Sequence, residues 1–115
     1  MSVKIYHNPK CSKSREALAL LEERGLEPEV VLYLKTPLNA EQLTALVQKT
    51  GEPVRALLRE RGTPYHELDL DEDRWSDAEL IDFMVQYPIL LNRPIIETEK
   101  AARLCRPMER LEDLF

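Results

Sequence analysis

A chain of 115 residues has the length of one domain and leaves room for one active site, so a single domain over 1–115 is expected. Its 43% hydrophobic and 32% charged content excludes a disordered or fibrous protein. Sixteen basic against 21 acidic residues give a formal net charge of −5, which argues against nucleic acid or an anionic membrane as the main partner. No apolar run reaches the ~20 residues that span a bilayer. The start MSVKIYHNP lacks the apolar centre of a secretory signal, so a cytoplasmic location is expected. Cys11 and Cys105 are too few and too far apart for a disulfide framework, and no Cys/His cluster has zinc spacing. In a reducing compartment such cysteines are candidate working thiols.

In chain order, Val3 to Tyr6 alternates and is rich in β-formers, then HNPKCS breaks the pattern. Ser12 to Arg24 follows as a helix with Leu18, Leu20 and Leu21 on its apolar face, and Gly25 is its stop signal. Glu29 to Leu34 reads as a strand buried on both faces, because Val30 to Tyr33 is a continuous apolar run. Strand, helix, strand is a parallel unit. Asn39 with Gln42 forms a capping box for a helix carrying Leu43, Leu46 and Val47, which Gly51 ends. Pro53 suits a first helical position, predicting a short helix through Val54, Leu57 and Leu58 to Gly62, with Arg55 and Arg59 on one face. Ser76 with Glu79 is a second capping box, and Pro88 stops the helix it opens. Pro94 to Glu97 and Ala101 to Cys105 flank a short polar stretch as a hairpin does. Pro107 then starts a terminal helix with Met108, Leu111 and Leu114 on one side. The order βαβ, helical middle, ββα predicts an α/β, thioredoxin-like fold with a mixed sheet and a helical insertion.

Cys11 falls in the turn between the first strand and first helix, where unpaired backbone N–H groups and the positive helix end converge. That place, with His7, Lys10, Lys13 and Arg15 close in sequence, favours the nucleophilic thiolate. Cysteines are commonly small buried hydrophobes, but the polar surroundings HNPKCSKSR speak for the reactive alternative. Ser12, Ser14 and the N–H groups after Cys11 are able to hold a tetrahedral oxyanion beside the sulfur, although serines at a helix start are often simple caps. Ser14 stands where a Cys-x-x-Cys pair would carry its second sulfur, so an oxidised Cys11 passes to an outside thiol. Arg59, Arg93 and Arg106 are candidate anion ligands, since planar guanidinium groups bind oxyanions bidentately and stay charged; the bland alternative is solvated surface arginine.

Taken in order, IYHNPKCSKSR, VRALLRE, LIDFM, YPILLNRPI and RLCRP resemble the glutaredoxin-dependent arsenate reductase family over nearly the whole chain. The resemblance implies that Cys11 is the nucleophile forming a thiol–arsenate adduct. It implies that Arg59, Arg93 and Arg106 bind and stabilise the oxyanion, and that His7 and Ser14 help hold the thiolate. It further implies that Pro94 follows a cis bond, that glutathione is a co-substrate and glutaredoxin a partner, and that no metal or bound cofactor is required. The sequence ends at Phe115, soon after the CRP segment, where the longest members continue into a tail. Cys105 is expected to pack in the last strand. Three rivals stay open: a thioredoxin-like thiol reductase with a non-arsenate substrate, a redox-sensing regulator that binds RNA polymerase, and a non-catalytic interaction domain.

Overall fold

The computed structural model describes residues 2–106 and 108–115. Its contacts group into two compact units, Met1–Thr36 with Arg93–Phe115, and Pro37–Asn92.

The first unit is built on a four-stranded mixed sheet. Strand β1 spans Lys4–Tyr6, helix α1 Ser12–Glu23 and strand β2 Glu29–Val31. Strands β3, Ile95–Glu97, and β4, Ala102–Leu104, complete the sheet in the order β2-β1-β3-β4. The β1–β2 pair is parallel, in register Ile5↔Val30, whereas β1–β3 and β3–β4 are antiparallel. Ile5 and Ile96 are paired across β1 and β3, and both are fully buried. They meet Val3, Ala17, Leu21, Cys105 and Leu111 in one apolar cluster, against which Leu18, Leu20 and Leu114 pack. Helix α1 stops at Gly25, whose φ of 77° is one that L side chains rarely adopt. There the Gly25 and Leu26 N–H groups bond back to the carbonyls of Glu22 and Leu21.

Three expectations are corrected in this unit. The second strand is three residues long and lies at the sheet edge, with Val30 41% exposed. Its apolar run is therefore not buried on both faces: β1 has a second neighbour in β3, while β2 has none beyond it. The chain turns after Val31, the Lys35 and Thr36 N–H groups both donating to the Leu32 carbonyl, and only Tyr33 of the run is deeply buried. The terminal helix is of the tighter 3-10 type over Met108–Leu114; the expectation that Pro107 starts it lies outside the described residues. Cys105 follows β4 and is fully buried in the cluster.

The second unit holds helix α2, Ala40–Thr50, and helix α3, Asp77–Gln86. Both open with complete capping boxes, Asn39 with Gln42 and Ser76 with Glu79. The helix expected to run to Gly62 is a single 3-10 turn, Val54–Leu57. Leu58 then forms an antiparallel bridge with Leu91, and the Arg59 N–H donates to the Leu90 carbonyl at 2.7 Å instead of to Arg55, four residues back. Burial of Leu57, Leu58, Leu90 and Leu91 drives that pairing in place of helix continuation. Arg55 does not share a helix face with Arg59; its guanidinium donates to the carbonyls of Leu70, at 2.7 Å, and Glu72. Among the described residues, no helix is long and apolar enough to cross a membrane, and no His/Cys/Asp/Glu group has metal-holding geometry.

Candidate active site

The site grows from the turn that joins β1 to α1. Asn8 organises that turn with its own backbone and side chain: its carbonyl accepts the Cys11 N–H at 2.9 Å, and its Oδ1 accepts the Lys10 N–H at 3.0 Å. This is the Asx-type closure that short amide side chains favour. Outside the turn, the Arg15 guanidinium donates to the Pro9 carbonyl at 2.8 Å. Cys11 is thereby set at the N-cap of α1 in extended backbone, where the first helical N–H groups lack partners within the helix.

The sulfur is buried, at 8% exposure, and burial alone raises a thiol pKa. Here the donors win. The Ser14 N–H, the Arg93 guanidinium and the Lys13 N–H together hold the Cys11 pKa below its ordinary value. Lys13 acts through its backbone, so proximity in sequence gave the right residue for a different reason. Arg93, itself 8% exposed, is engaged with the sulfur through its side chain. Two of its guanidinium nitrogens, Nε and Nη1, are buried and make no hydrogen bond among the described residues; N–H groups so placed suit a tetrahedral oxyanion.

Arg106 completes the sulfur's surroundings, with Nη2 at 3.4 Å from Cys11 Sγ and Nε donating to the Arg93 carbonyl at 2.5 Å. The two arginines meet because they end one hairpin. Ile95 pairs with Leu104 and the Cys105 N–H bonds the Pro94 carbonyl at 2.9 Å, so the same register carried one step further sets Arg93 against Arg106. The Arg93–Pro94 peptide is cis.

His7 and Ser14 form a buried pair behind the sulfur. His7 Nδ1 and Ser14 Oγ lie 2.6 Å apart, and the Asn8 N–H donates to the same hydroxyl at 3.1 Å. Burial, then the charge of Arg15, lowers the His7 pKa, which favours a neutral ring. His7 therefore braces Ser14, and the positive charge on the sulfur comes from the arginines. Five candidate residues, Cys11, His7, Ser14, Arg93 and Arg106, are thus gathered in the first unit. Arg59 belongs to the second, where its Nε donates to the Arg61 carbonyl at 3.1 Å. Sequence reasoning passed over Asn8, whose signal was its place between an imidazole and a proline at the start of a tight turn.

A family model described as the ArsC family matches residues 6–114. The chain is 49% identical to an arsenate reductase of Escherichia coli, over 99% of this chain and 81% of that protein. It is 48% identical to the uncharacterized protein YfgD of Escherichia coli strain K12, over 97% of this chain and 95% of that one. Among solved structures, an arsenate reductase from Vibrio cholerae superposes with a TM-score of 0.95 at 46% identity, covering 100% of this chain and 98% of that chain. The fold is thioredoxin-like α/β.

Proposed function

This chain belongs to the ArsC family, and from that premise we propose that it is an arsenate reductase with Cys11 as its nucleophile. The observation that carries the reading is a buried sulfur with a lowered pKa, held between the Arg93 guanidinium and Arg106 Nη2 at 3.4 Å. A thiolate and two fixed cations side by side suit attack on a tetrahedral anion whose negative charge grows as the bond forms.

In the proposed sequence the Cys11 sulfur bonds to arsenic, and one arsenate hydroxyl leaves as water with the proton of the reacting pair. The ester formed still contains pentavalent arsenic. An outside thiol then attacks the Cys11 sulfur, and the electron pair of the S–As bond departs with arsenic, which leaves as trivalent arsenite. The two sulfurs, each oxidised by one electron, are left as a mixed disulfide. A further thiol exchanges with that disulfide and returns Cys11 to its reduced form. Arg93 and Arg106 hold the anion and its developing charge; His7 and Ser14 keep the turn, and with it the sulfur, in position. Arg59 takes a substrate-binding role by its place in the VRALLRE motif, and Arg59→Lys, by raising the KM for arsenate, tests that role separately.

Two features support outside thiols as the reductant, with glutathione as co-substrate and glutaredoxin resolving the disulfide. Ser14 occupies the place of a neighbouring second thiol. Cys105 is fully buried, and its thiol is pushed up to about 12 by that burial. No metal or bound cofactor enters the scheme, and the reducing cytoplasm is the compartment that keeps such thiols ready.

The test is arsenate-dependent consumption of reduced glutathione in the presence of glutaredoxin, repeated with Cys11→Ser, together with mass spectrometry of the trapped adduct. Turnover lost only in the variant supports the reading; no turnover and no adduct in the unaltered protein sinks it. The similarity to YfgD over nearly the full length of both chains keeps a second reading, a thiol reductase with another substrate. That reading predicts reduction of small disulfides at a rate arsenate does not compete with.

A further inference from the structure

The first fifteen residues contain Lys4, Lys10, Lys13 and Arg15 and no carboxylate, in a chain of net charge −5. Lys4 is matched within the sheet, standing opposite Glu29 on β2 and Glu97 on β3. The other three are exposed and flank the buried sulfur in sequence, before and after Cys11. Arg15 is tied to the rim by its bond to the Pro9 carbonyl, and its charge is felt at His7. Lys13 lies 3.6 Å from Glu16, with both side chains more than half exposed, a pair too solvated to cancel its charge. Exposed cations thus form, along the chain, a rim on both sides of Cys11 in an acidic protein.

A compact oxyanion needs the cations that reach the sulfur, and those are the guanidinium groups of Arg93 and Arg106. Exposed ammonium groups on the rim suit a larger molecule whose sulfur reaches inward while its carboxylates stay at the surface. The proposed reaction demands such a molecule, because the electrons come from outside. We propose that Lys10 and Lys13, with Arg15, form the docking surface for the reductant, a small thiol carrying more carboxylate than ammonium charge. The proposal rests on the reductase reading of Cys11.

Glutathione is the anionic probe and 2-mercaptoethanol the neutral one. With arsenate saturating, the Lys10→Glu protein should show a KM for glutathione raised about fivefold, since an exposed ion pair contributes up to ~1 kcal/mol. Its KM for 2-mercaptoethanol and for arsenate should stay within about twofold, and added salt should narrow the gap between the two thiols. Equal changes for both thiols, an unchanged glutathione KM, or a raised arsenate KM would each overturn the assignment. A second measurement needs no arsenate: the Cys11 thiolate displaces one sulfur of a disulfide, forming a mixed disulfide and releasing a thiolate. Charge reversal should slow exchange with oxidised glutathione about fivefold and leave hydroxyethyl disulfide untouched; parity between them refutes the docking surface. Failure of the reductase reading appears differently, as absence of arsenate turnover in the unaltered protein.

Discussion

Cys11 and Cys105 belong to the same compact unit and are both buried, at 8% and 0% exposure, yet their thiols are driven in opposite directions. At Cys11, burial is outweighed by the Ser14 and Lys13 N–H groups and by Arg93. At Cys105, burial prevails, and the thiol donates to the Arg103 carbonyl at 3.7 Å, an acceptor that gives nothing to an anion. Reactivity therefore follows the donors around a sulfur and not its depth. One cysteine sits where a helix begins; the other fills the apolar cluster beneath the sheet.

The largest test of that contrast is to remove each sulfur in turn. Cys11→Ser should lower arsenate turnover by about a thousandfold or more, while Cys105→Ala should leave kcat/KM within about twofold and cost about 1 kcal/mol in denaturant unfolding. Comparable losses of activity would erase the distinction. Next in size is the donor set itself. Arg93→Ala should cut turnover about a hundredfold, as loss of one fixed donor to a developing oxyanion does, and should move the pH midpoint for iodoacetamide alkylation of Cys11 upward. An unmoved midpoint would mean that the backbone N–H groups and Arg106 hold the thiolate without Arg93.

Ser14→Ala should act more gently. It removes the hydroxyl that accepts the Asn8 N–H and meets His7 Nδ1, a loss near 1.4 kcal/mol, or about tenfold in kcat/KM, with the alkylation midpoint shifted less than in Arg93→Ala. The smallest effect is on stability in alkali. Cys105 is raised from an ordinary 9.0 to about 12, so the unfolded chain releases its proton first and stability falls as pH rises through that window. Cys11 has the opposite sign: its folded pKa lies lower, so its contribution is present above the ordinary value and is lost as pH falls through the folded one. Unfolding curves between pH 9 and 11 should therefore slope less in Cys105→Ala than in the unaltered chain; identical slopes would show that this thiol does not titrate on unfolding.

Local signals were read well from sequence, and distant ones were not. The capping boxes at Asn39 and Ser76 and the stop at Gly25 lie within a few residues of what they control, and the structure contains each of them. The exposure of the strand at Glu29 is not legible, because an apolar run does not tell which strand is the edge. The early end of the helix at Leu57 is not legible either, because Leu91, which bridges Leu58, lies far along the chain. The turn around Cys11 was legible for the same reason as the caps, since His7, Asn8 and Ser14 are close in sequence. What the residues around Cys11 could not disclose was that His7 faces the serine hydroxyl, which depends on how Asn8 folds the turn back upon itself.

The hairpin of β3 and β4 has a consequence for how this protein tolerates change. Arg93 and Arg106 stand at its two open ends, so the strand pairing works as a caliper whose jaws are the two guanidinium groups. An extra residue at the closed tip, beyond the Glu97↔Ala102 pair, leaves the jaws where they are. One inserted between Ile95 and Ile96 slides one blade past the other by half a pleat and parts them. Two insertion variants assayed side by side should accordingly differ sharply in arsenate turnover, and variation in length should accumulate at the tip while the blades keep their measure.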